Sequence, residues 1–171
     1  MEEKCWEKIS ENEIRVNLDM FVDPKCTDAD GEIMSFLKNK NQQGWVSVEK
    51  REASLYVGGK KVFLQTIQGK YQDHQGIEEI IDCEIEGRNV LHPNIGIALA
   101  ENNHLIPLEW DDKALHFWGA IFREKVVERW MFSFVMSIYG YGGERGWRKE
   151  GEYMMLGFMD TPYILMLEDS K

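Results

Sequence analysis

Cysteine is scarce in this chain and is not arranged for chemistry. The three cysteines, Cys5, Cys26 and Cys83, are odd in number and widely separated, and no C-x-x-C occurs. That excludes a zinc ribbon and a thioredoxin-type pair, and it fits a reducing compartment. Long apolar runs are also missing. The longest stretch without charge, WMFSFVMSIYGYGG at 130–143, has fourteen residues, short of the roughly 20 that a membrane helix requires. The opening residues MEEKCWEK carry neither a basic n-region nor an apolar h-region, so a secretory signal is not expected and a cytoplasmic location is. Basic charge is the third deficit. Twenty Lys and Arg stand against thirty Asp and Glu, for a formal charge of −10. Such a field repels nucleic acid and anionic membranes, and it draws in a basic protein.

Apolar residues make up 43% of the chain and aromatics 12%, which is ample for one core and argues against disorder. A single domain over residues 1–171 is expected, because no repeat, low-complexity tract or Pro/Ser-rich linker divides the sequence. Six tryptophans (Trp6, Trp45, Trp110, Trp118, Trp130, Trp147) supply large rigid side chains that serve cores and binding surfaces alike.

Period-two patterning dominates. EIRVNLDMFV places Ile14, Val16, Leu18, Met20 and Val22 on one side of a strand. WVSVEKR reads as a strand, and SLYVGGKKVFLQTI as a hairpin turning at Gly58-Gly59. IIDCEIE alternates, as does IGIALAENNHLIPLEW with a bend at Glu101-Asn102-Asn103, and EYMMLGFM and YILMLE follow across Asp160-Thr161-Pro162. One helix is expected after Asp28 or Asp30, with Ile33, Met34, Phe36 and Leu37 as its apolar positions. Residues 113–138 fit neither period cleanly; their density of aromatic and β-branched residues favours strands. The fold class is therefore mainly β, an antiparallel meander curled into a barrel or two-layer sandwich with one or two short helices. A helical 113–138 would make it α+β instead.

Candidate motifs yield to plainer readings. IYGYGGERGW (138–147) resembles a phosphate loop, but Arg145 stands where the third glycine of G-x-G-x-x-G belongs, and a strand pattern follows. It reads as a hairpin connection. CTDADGEIMSFL would put Cys26 and Leu37 at calcium-ligand positions that need oxygen. His92, His104 and His116 recur every twelve residues, which could align them across neighbouring strands, yet nothing local supports a metal site; His74 reads as an exposed loop residue. No G-x-S-x-G is present, and the pair Asp82 and Glu84 lacks the lysine and basic groove of a nuclease. Neither a cofactor nor a metal is expected.

The densest feature is GIEEIIDCEIEG, with Glu78, Glu79, Asp82, Glu84 and Glu86. On a strand with Ile81, Cys83 and Ile85 inward, Asp82, Glu84 and Glu86 form a row of like charges. Such a row costs stability unless water or a cationic partner screens it. It reads either as a solvated face or as a docking stripe for Lys and Arg. Glu109, Asp111 and Asp112, in the bend after HLIPL, could extend it, and Trp147 could serve as an anchor. In composition and in this stripe the chain resembles, at the level of class, the small acidic immunity proteins of bacterial toxin systems, including contact-dependent growth inhibition. That resemblance implies inhibition of a basic nuclease toxin by carboxylates covering its nucleic-acid site; it carries over no fold and no individual residue. Two other readings stand beside it. One is a small-ligand barrel lined by Phe117, Trp118, Trp130, Phe132 and Phe134, and the other is an enzyme with a dispersed carboxylate or histidine site.

Overall fold

The computed structural model describes residues 4–20, 32–38, 43–66, 89–111, 113–127, 130–141, 146–153 and 162–168. Over these the chain is mostly β, with one α-helix and two 3-10 turns. The strands are β1 (Trp6–Ser10), β2 (Glu13–Asn17), β3 (Glu32–Lys38), β4 (Trp45–Arg51), β5 (Ser54–Val57), β6 (Lys60–Thr66), β7 (Ala114–Val127), β8 (Trp130–Tyr141), β9 (Gly146–Tyr153) and β10 (Pro162–Leu167). They pair in the order β1-β2-β4-β5-β6-β10-β7-β8-β9, with β3 also on β7.

The first part is the meander that the alternation implies. Ile14, Val16, Val48, Leu55 and Val57 are buried, while Arg15, Glu49 and Tyr56 fall on the opposite parity. The β5–β6 turn needs two left-handed residues, and Gly58 and Gly59 provide φ of 56° and 78°. Strand β6 then changes neighbours. Lys60 and Lys61 pair with β5, whereas Val62 to Thr66 pair with β10. The sheet so passes from one half to the other along a single strand.

Residues 113–138 are two strands, β7 and β8, joined in a long antiparallel ladder. Strand β9 continues it, with Tyr141 opposite Gly146 and Gly140 opposite Trp147. The glycine-rich stretch therefore connects a hairpin. Three expectations need correction. Residues 32–38 form strand β3, antiparallel to Ala120–Lys125 of β7, and not a helix. Their apolar residues suit either period, and pairing along the far half of β7 decides between them. Strand β10 runs parallel to β7 at Pro162–Ile164, so the sheet is not wholly antiparallel. The third correction concerns IGIALAE.

That segment is helix α1 (Pro93–Glu101). Its alternation of Ile95, Ile97 and Leu99 with Gly96, Ala98 and Ala100 mimics a strand. The small residues instead let neighbours approach from every side. Pro93 to Leu99 are all buried, and the helix packs against β2, β7, β8 and β9. A helix apolar all round is a core helix. The helix signals are at its ends: Pro93 needs no N–H partner in the first turn, and His92 is the cap, its Nδ1 accepting from the Asn94 N–H at 3.1 Å.

Burial obliges α1 to satisfy its polar groups within the protein. Asn94 Nδ2 donates to the carbonyls of Asn17 and Met20, each at 2.8 Å, and so ties the helix start to the end of β2. The Cys5 thiol, also buried, donates to the Asn94 carbonyl at 3.8 Å. At the other end Asn102 Nδ2 donates to Ala98 O at 2.9 Å. Trp6 Nε1, from β1, reaches Glu101 Oε2 at 2.7 Å. Just before the helix, the Leu91 N–H donates to Leu165 O and the Leu91 carbonyl accepts from Gly119, so this strap fills the gap where β10 and β7 part.

Asn94→Ala should lower the unfolding free energy by about 1–2 kcal/mol, because two part-buried carbonyls lose their donor. Urea denaturation at neutral pH measures this, and a loss below about 0.5 kcal/mol would show that the helix is not anchored by these bonds.

Candidate functional site

The sequence-predicted site residues are scattered. Glu78, Glu79, Asp82, Glu84 and Glu86 lie outside the described residues, as do Asp112 and His74. Trp147 is in β9 opposite Gly140. Glu109 and Asp111 are exposed on the segment that follows α1, and here the chain builds a defined edge. Two 3-10 turns, Asn103–Leu105 and Leu108–Trp110, fold this segment back. Leu105, Ile106 and Trp110 point into the core, and that inward set pushes Leu108 and Glu109 to the surface. Leu108 is 62% exposed. Lys50 Nζ reaches across from β4 to the carbonyls of His104 (3.0 Å) and Ile106 (3.4 Å), and His104 Nε2 donates to Glu11 O at 2.9 Å. The turns are thus fastened to the meander.

Between this edge and β6 lies an open cleft of ≈ 410 Å³. Leu64, Pro107 and Trp110 form apolar lining and Phe63 stands exposed beside them, while Lys61, Lys113 and Glu109 bring charge. Lys113 Nζ donates to the Glu109 carbonyl, which fixes the lysine stem along the turn. Glu109, read from the sequence as part of an acidic patch, lines this cleft together with Lys61 and Lys113. The cleft is what sequence reasoning missed. Lys61 and Trp110 belong to segments far apart in the chain, and no local pattern announces that they meet.

The outer face of the meander has a different character. Glu7 pairs with Arg15, Glu49 with Arg51, and Lys8 with Glu11. Lys4 lies 3.8 Å from Glu101. The Arg15 guanidinium sits over the Trp45 ring at 5.1 Å, and that of Arg51 over Tyr56 at 4.6 Å. The hydrogen bond from Lys8 holds the Glu11 carboxyl below its ordinary value. This face is largely self-neutralised.

The three evenly spaced histidines do not align across neighbouring strands. His92 caps α1, His104 sits in a 3-10 turn and His116 lies in β7, because the segment between them is helical. Among the described residues no group of three His, Cys, Asp or Glu is placed to hold a metal ion. Nor is any helix of those residues long and apolar enough to cross a membrane. Phe117 and Trp118 are both buried on β7. Comparison with protein-family models, with curated proteins and with solved structures finds no match to this chain.

His116 is buried, and burial pushes its pKa down to about 3. The unfolded chain takes up this proton near pH 6.5, while the folded protein does not until about pH 3. Between those limits the unfolded state binds the extra proton, so stability falls as pH falls, by about 1.4 kcal/mol per pH unit. Above pH 6.5 this residue contributes no slope. Denaturant midpoints taken from pH 7 to pH 4 should show a shallower fall for His116→Gln than for the wild type. Parallel curves would mean that His116 protonates freely in the folded state.

Proposed function

We propose that this chain is an acidic binding protein that neutralises a basic protein partner, and that a nuclease-type toxin is the partner whose chemistry fits, as in the immunity proteins it resembles. The observation that supports this reading is how charge is distributed. On the described surface Lys4, Lys8, Arg15 and Arg51 each have a carboxylate partner, so charge there is balanced in pairs. The described residues hold 13 Lys and Arg against 14 Asp and Glu, so nine of the ten excess negative charges fall in the rest of the chain, and five carboxylates with no Lys or Arg among them fall within residues 76–87. Unbalanced carboxylates steer a basic protein into encounter and compete with nucleic acid for its cationic site. Binding needs no catalytic residue on this chain.

The proposed contact set is Glu78, Glu79, Asp82, Glu84 and Glu86, extended by Glu109, Asp111 and Asp112, with Trp147 as an aromatic anchor. The ligand-lined barrel is less well supported. Helix α1 packs against β2 and β7–β9, and its residues Pro93 to Leu99 are all buried. A dispersed enzyme site gains no supporting geometry from the described histidines.

Capture from host lysate at low salt, followed by elution at high salt, should yield one stoichiometric basic protein. Charge reversal of Asp82, Glu84 and Glu86 to Lys should then weaken its binding by at least about a hundredfold, the usual scale for losing several interfacial charges. An affinity unchanged by the triple reversal would sink the proposed face, and a blank capture would sink the partner.

A further inference from the structure

We draw no further inference here: the strongest candidate, the outer sheet face of the meander on which Trp45 stands exposed, carries nothing, because its Arg15 and Arg51 are already engaged by Glu7 and Glu49 and nothing in the structure shows what covers it.

Discussion

The structure depends on the all-round burial of one short helix. A nine-residue helix is too short to persist alone in water, so α1 exists only because the sheet surrounds it. Each of its large side chains, Ile95, Ile97 and Leu99, contributes roughly 1.5–3 kcal/mol by leaving water. The corresponding demand is that its end groups find partners inside the protein, and the residues that meet it come from distant segments. Asn94 bonds to the end of β2, Asn102 turns back onto Ala98 O, and, on the surface, Trp6 of β1 reaches the exposed Glu101, while Leu91 links β10 to β7. The same contacts that satisfy the helix also fix where the two halves of the sheet lie. Coupling of this kind makes removal of a single donor costly, since backbone groups in the core have no water to turn to.

That constraint explains the course of the chain after the helix. Asn102 closes α1, and the next residues alternate between the core and the surface in two tight turns. Leu105, Ile106 and Trp110 seal the helix end, and Leu108, Glu109 and Asp111 are left outside. A surface edge of defined shape is therefore a consequence of core packing. The cleft beside it follows from the same geometry, because β6 changes neighbours there, pairing β5 through Lys60 and Lys61 and β10 from Val62 onward.

Much of the β framework was legible in the sequence. Strands β2, β4, β5 and β6 have one face buried and one exposed, so hydrophobic alternation reports them directly, and Gly58-Gly59 reports the turn. Strands β7 and β8 were legible by composition alone, since β7 is buried on both faces at Ala114 to Gly119 and shows no alternation. The helix was misread for the opposite reason. Small residues between Ile95, Ile97 and Leu99 gave it a false period of two, and only Pro93 and the caps carried the true signal. Strand β3 was misread because its apolar run suits either period and its pairing with β7 is non-local. The hairpin β1–β2 turns at Glu11-Asn12, a pair with little turn character, so β1 left no clear mark. Of the site, the exposure of Glu109 and Asp111 was legible from the bend. The cleft was not, because it is made by Lys61 and Trp110 meeting across the fold.

Two kinds of surface result, and electrostatics distinguishes them. On the meander's outer face opposite charges are set in register, Arg15 against Glu7 and Arg51 beside Glu49, with rings beneath the guanidinium groups. Paired exposed charges of this sort contribute little to stability, about 0–1 kcal/mol each, but they cancel the field at distances beyond the Debye length. What is left at long range is the net charge of the chain, −10. The described residues sum to a charge of about −1, so most of the chain's −10 lies in the remainder of the sequence. On the proposed reading, that summed charge is what would draw a basic protein in, whereas the paired charges of the meander face give such a partner little hold at long range.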